Sequence, residues 1–97
     1  MIAIYYRWTL VPGREEQFVE AWTAVTEHLK RQGSLGSSLF KSADGSVVAI
    51  ARWPDLATRQ ASSAMRADPD LYRRMIDAIA VEHKERVLDQ QIDMWVR

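Results

Sequence analysis

Along the first ten residues, Ile2, Ile4, Tyr6, Trp8 and Leu10 fall on one face of an extended chain, with Ala3, Tyr5, Arg7 and Thr9 on the other. This period of two predicts a strand over Ile2–Leu10, and the apolar Ala3 and Tyr5 on its second face predict that both faces are covered. Val11-Pro12-Gly13 ends it, because proline lacks an amide donor and glycine permits a turn. From Arg14 to Gln32 the period becomes helical: Phe18, Trp22, Val25 and Leu29, spaced by four, three and four, form one stripe. Glu15 and Glu16 suit its positive amino end, Lys30 and Arg31 its negative end, and Gly33 the left-handed cap that stops it.

A weaker, serine-rich strand follows over Leu35–Ser42, and Asp44-Gly45 turns it into a stronger antiparallel strand, Ser46–Trp53. Asp55 is placed to cap a short helix running from Leu56 to about Met65. Asp68-Pro69 reads as a cap followed by proline in the first helical turn. The helix that follows carries the stripe Tyr72, Met75, Ile76 and Ile79, extended by His83. Arg86–Val96, with Leu88, Ile92, Met94 and Val96 on one face, reads as a closing strand. The order predicts an α+β fold, the ferredoxin-like split β-α-β-β-α-β, with helices on one side of a four-stranded antiparallel sheet.

Composition narrows the function classes. The 97 residues fit a single domain, 1–97, with an apolar fraction of 47% and a charged fraction of 27%. Thirteen basic and thirteen acidic residues cancel, which removes the electrostatic footprint of nucleic-acid binding. Without cysteine there is no disulfide framework, thiolate metal site or cysteine nucleophile, a pattern compatible with the cytoplasm. No signal peptide or membrane span is read, because no apolar run approaches the length a span requires.

Several short motifs, in order, carry a resemblance. Tyr6-Arg7, the turn Val11-Pro12-Gly13, Glu15-Glu16-Gln17-Phe18 with Ala21-Trp22, Gly33-Ser34-Leu35-Gly36-Ser37, and Ile50-Ala51-Arg52-Trp53 together resemble the antibiotic biosynthesis monooxygenase domain. The resemblance implies a homodimeric α+β barrel in which two sheets pack face to face. It also implies kinship with cofactor-independent oxygenases of polyketide-derived phenols, quinol oxygenases and haem-degrading enzymes. The haem-degrading branch carries an Asn on the first strand, a Trp on the first later helix and an iron-binding His beyond it. Those positions fall on Tyr6, on Ser62 and near Tyr72, so no metal or haem ligand is carried over. Many members also have a His after the proline that opens the last helix, and here Asp70 follows Pro69, in a place suited to the helix dipole.

Oxygenation without a cofactor needs a phenol or enol that is deprotonated, shielded from water and held beside a space for O2. The residue types that serve this chemistry are Tyr6, His83 and Tyr72 as catalytic candidates, and Trp22, Ser62 and His28 as substrate contacts. Arg52, at a strand end beside apolar neighbours, is expected to pair with a carboxylate, within the chain or across the dimer. The expected activity is monooxygenation of a small aromatic or polycyclic phenol or quinol, with O2 as co-substrate and no metal, flavin or haem. A non-catalytic binding or sensor protein, or an isomerase, on the same scaffold is the alternative.

Overall fold

The structure is a computed structural model and describes residues 1–96; Arg97, the last residue of the expected domain, lies outside the described residues. Its elements are β1 (Ile2–Leu10), α1 (Glu15–Arg31), β2 (Gly36–Lys41), β3 (Val47–Trp53), α2 (Leu56–Ala61), α3 (Ala64–Ala67), α4 (Pro69–Asp77), β4 (Ile79–Glu82) and β5 (Arg86–Asp89). All strand pairs are antiparallel, in the order β2-β3-β1-β4, with β5 also on β1. The predicted ferredoxin-like α+β topology is therefore present, with its fourth lane filled by two short strands in series. β4 covers Trp8–Leu10 and β5 covers Ile2–Tyr5. Between them His83, Lys84 and Glu85 lie against only Tyr6 and Arg7, an extra residue that makes a β-bulge.

Three element boundaries differ from the periodicity. Ile79 does not continue the last helix: α4 stops at Asp77, and Ile79–Glu82 is a strand. The spacing of Ile79 from Tyr72 and Ile76 suits a helix, but Thr9 and Leu10 need lateral partners, and the β-branched Ile79 and Val81 supply them. The closing strand ends at Asp89, because Asp89 already faces Ile2 and Gln90 donates to the Met1 carbonyl at 3.1 Å, so β1 has run out. The segment expected to reach Met65 as one helix is broken at Ser62 and Ser63, both extended, into α2 and α3.

The inner face of the sheet, covered by helices, carries Ile2, Ile4, Tyr6 and Trp8 from β1 opposite Trp53, Ala51, Ala49 and Val47 from β3. Phe18, Ala21 and Val25 of α1 and Met75 of α4 pack onto the Trp8 and Val47 end, with Phe18 fully buried. Ile2, Ile4, Ala51 and Trp53 form a second cluster at the other end, and Tyr6 and Leu29 touch both. The outer face leaves Phe40, Val81 and Leu88 about half exposed. Arg52 pairs within its own chain with Asp93 at 3.4 Å, which meets the expectation of a carboxylate partner.

Candidate functional site

Two alanines make the space. Ala49 and Ala51 are the inner-face residues in the middle of β3, and their methyl groups leave a hollow between Trp8 and Trp53 that the helices span without filling. The hollow has a volume of about 550 Å³, within the range of small-molecule pockets. Trp22, Val25 and Leu29 of α1 and Tyr72, Met75 and Ile76 of α4 form its sides. Arg59, Ser62 and Met65 lie in the roof, and Glu82 and Glu85 at the β4–β5 rim. On the floor the Tyr6 ring stacks on Trp8, with centroids 5.1 Å apart and planes 11° from parallel. Trp8 in turn meets Phe18 at 5.2 Å.

Polar caps rather than apolar packing hold the roof. Asp55 accepts from the Thr58 amide at 2.7 Å, Ser63 from Arg66 at 3.1 Å and Asp68 from Leu71 at 3.1 Å, so each short helix has its own N-terminal cap. The α1 terminus anchors the break between α2 and α3. Gln32 donates from Nε2 to the Ser63 carbonyl at 3.1 Å, and its Oε1 accepts from the Ser63 amide at 2.7 Å. One residue further, Gly33 has φ +107 and completes a Schellman cap, in which its amide bonds to Lys30 and that of Ser34 to Leu29. A Cβ on Gly33 would come within 2.6 Å of Thr58 Cγ2, so the bare glycine sets how closely α2 approaches α1.

That approach positions Arg59. Its Nη2 donates to the Tyr6 hydroxyl at 3.3 Å and to Glu85 Oε1 at 2.7 Å, joining the roof to the floor and to the bulge. Burial pushes the Tyr6 hydroxyl above its ordinary value of 10.0, against the lowering effect of the Arg59 hydrogen bond. Tyr6 therefore stays protonated at neutral pH. Because its oxygen accepts from Arg59, its own proton is available to a ligand in the cavity. Desolvation alone would lower the Arg59 pKa, but its bonds to Tyr6 and Glu85 outweigh this and raise it above its ordinary value, so it is a permanent cation. The Arg59–Glu85 pair lies at a partly exposed rim, where such a pair contributes about 0–1 kcal/mol.

Of the residues selected from the sequence, Tyr6, Trp22, Ser62 and Tyr72 line this cavity together. His83 and His28 do not. His83 Nε2 bonds to Thr9 Oγ1 at 3.1 Å, and Thr9 points away from Trp8, to the outer face. Its expected place on the last helix stripe fails because that segment is a strand and a bulge. His28 is half-buried between α1 and the α3–α4 junction, outside the cavity lining, with Nδ1 against Arg31 at 3.2 Å and Nε2 at 3.9 Å from Asp68. Asp70 occupies the first turn of α4 and is exposed, as its dipole role requires. Arg59, Glu82 and Glu85 were missed. Arg59 stands one helical turn before Ser62, whose hydroxyl donates to the Arg59 carbonyl at 2.6 Å, and that spacing was the available signal. Among the described residues no group of three or more His, Cys, Asp or Glu is placed to hold a metal ion.

Comparison with known proteins places the fold. No family model matches the sequence, and no curated protein matches it. Solved structures do. A Chloroflexus aurantiacus protein provisionally assigned as an antibiotic biosynthesis monooxygenase superposes with TM-score 0.80 at 10% identity, over 99% of this chain and 98% of that one. SnoaB, a cofactor-independent oxygenase from Streptomyces nogalater, superposes with TM-score 0.75 at 17% identity, over 96% of this chain and 95% of that one. A Nitrosomonas europaea protein with the same provisional assignment gives TM-score 0.75 at 16% identity, over 95% of this chain and all (100%) of that one. At these identities the likeness establishes the fold, which is that of the family whose motifs the sequence resembles. Among the described residues no helix is long and apolar enough to cross a membrane.

Proposed function

We propose that the chain is a cytoplasmic homodimeric monooxygenase that acts on a small aromatic or polycyclic phenol or quinol without metal, flavin or haem. The observation that carries this reading is an aromatic-walled cavity whose floor hydroxyl, Tyr6, is held by the Arg59 cation. Two donors, the Tyr6 O–H and the Arg59 guanidinium, converge where a phenolate oxygen would lie, and they favour the ionised substrate. Trp8, Trp22 and Tyr72 would flank its ring system and exclude water. The electron-rich anion then reduces O2 itself. At an anthrone-type CH2, one oxygen atom becomes the new carbonyl, the other leaves as water with both hydrogens, and the carbon supplies the four electrons. SnoaB, with the same fold, is described as a cofactor-independent oxygenase, which supports the reading.

Oxygen uptake with 1,8-dihydroxyanthrone and a panel of quinols tests it. The expected result is one O2 consumed per substrate, with one labelled atom retained from labelled oxygen gas, and a loss of about 100-fold in Tyr6→Phe. Binding without uptake for every tightly bound panel member would overturn the reading in favour of a binding or sensor protein. The position of both histidines outside the cavity favours that second reading, since it removes the expected imidazole base. The homodimer rests on the outer sheet face, where Phe40, Val81 and Leu88 are exposed, and on the exposed Ile92, Met94 and Trp95 beyond β5. Light scattering that gives a monomer at micromolar concentration would contradict it.

A further inference from the structure

We propose that Arg59 and Glu85 form an exchangeable ion pair: a neutral phenol or enol entering the cavity gives its proton to Glu85 and takes the place of that carboxylate on Arg59. The inference rests on the phenolic substrate class proposed above and names the base that the histidines do not supply. The step transfers one proton, from the ligand hydroxyl to a Glu85 carboxylate oxygen, and breaks no other bond. Before it the charges are Arg59⁺ and Glu85⁻ with a neutral ligand. After it they are Arg59⁺ and ligand⁻ with a neutral Glu85. Charge is handed over and none is created, which removes the main obstacle to placing a phenolate in an apolar cavity.

The geometry provides each part. Glu85 is 2.7 Å from Arg59 and lines the cavity rim, so it reaches both the cation and an entering hydroxyl. Both side-chain hydrogen bonds of Arg59 leave from Nη2, so Nε and Nη1 have no side-chain or backbone partner among the described residues. Those N–H groups are available to an oxyanion, and when Glu85 leaves, the freed Nη2 N–H completes a fork with one of them that an ortho-hydroxy ketone or similar pair of oxygens matches. Glu85 belongs to neither β4 nor β5 and its side chain is 41% exposed, so its carboxylate has room to turn away from Arg59. The other titratable groups lining the cavity are Tyr6, Tyr72 and Glu82.

Anaerobic titration with alizarin separates this inference from the oxygenase reading. Alizarin is a dihydroxyanthraquinone whose central carbons are already oxygenated and whose phenol and phenolate absorb at different wavelengths. The protein is expected to bind it as the phenolate, raising the ionised fraction about tenfold at a pH below the ionisation of the free dye, a shift of about one pH unit. Arg59→Gln should abolish the shift and Arg59→Lys retain part of it. Glu85→Gln should bind the preformed phenolate several-fold more tightly, because its competitor is gone. With 1,8-dihydroxyanthrone the same variant should lose about tenfold or more in oxygen uptake at low pH and recover once the substrate ionises unaided. Thermal melts of each variant exclude unfolding. A dye that stays neutral or fails to bind, weaker phenolate binding by Glu85→Gln, or unchanged uptake by that variant at low pH would overturn the exchange. An Arg59-dependent ionisation with no oxygen uptake by the unmodified protein would support the exchange and overturn the oxygenase reading.

Discussion

The two ends of one sheet face are covered by helices of different kinds. At the Val47 end, α1 and α4 press Phe18, Val25 and Met75 onto Trp8, and Phe18 has no solvent exposure. At the Trp53 end the sheet offers Ala51 and Ala49, and α2 and α3 cover them without a single buried residue of their own. At the first end large side chains of sheet and helices interdigitate, whereas at the second the buried Ile4 and Trp53 come from the sheet alone. The second is roofed by α2 and α3, a lid held by hydrogen bonds at its helix ends, and the hollow lies between that roof and the packed end. A segment with no buried residues and with capped, exposed backbone bonds is expected to open locally at lower free energy than the packed end, and hydrogen exchange tests this.

The contrast predicts unequal mutational effects. Phe18→Ala should lose about 3–5 kcal/mol in urea unfolding, because it empties the packed end. Met65→Ala in the lid, with Met65 57% exposed, should change stability by under about 0.5 kcal/mol, and comparable losses at both sites would erase the distinction. Gly33→Ala should follow with about 1–3 kcal/mol, from a positive φ and the Thr58 methyl 2.6 Å from the new Cβ. It should also move α2 and weaken ligand binding.

Gln32→Ala removes both bonds to Ser63 and should cost about 1–2 kcal/mol. Hydrogen exchange should rise in residues 56–67 more than in β1 or β3. Ala49→Leu should change stability by less than about 1.5 kcal/mol yet lower ligand affinity at least tenfold, since it fills the hollow. The smallest effect lies at the β2–β3 turn, outside both halves. There the Ser46 hydroxyl and amide, helped by Arg7, hold the Asp44 carboxyl at about 2 against an ordinary 3.8. A depressed carboxyl stabilises above its ordinary value, so this contribution is complete above about pH 4 and fades as pH falls toward 2. Asp44→Asn should therefore lower stability slightly at neutral pH, leave it unchanged near pH 2, and so flatten that part of the acid-unfolding curve.

The same contrast explains what was legible in the sequence. β1, α1 and the β2–β3 hairpin follow from periodicity because each buries a regular face, and Asp55, Asp68 and Gly33 cap where their residue types indicate. Tyr6, Trp22 and Tyr72 could be placed at the cavity because a strand or helix face determines where they point. The lid was not legible. Its break at Ser62–Ser63 depends on Gln32, 31 residues earlier, and no local pattern records that bond. Arg59 and Glu85 are polar residues at a rim, where periodicity assigns a side chain to solvent. His83 was misplaced for a related reason: a stripe at helical spacing concealed a strand, and the change of period turned the imidazole to the outer face.

The aromatic floor and walls also make the cavity report on itself. Of the four tryptophans, Trp8, Trp22 and Trp53 line the hollow, and Trp95 is exposed outside it. In a Trp95→Phe background, tryptophan emission therefore comes only from cavity walls, and the stacked Tyr6 can pass excitation to Trp8 across 5.1 Å. A quenching ring system that enters should darken all three emitters together, so occupancy of the site is readable by eye of the spectrometer with no label and before any substrate is known.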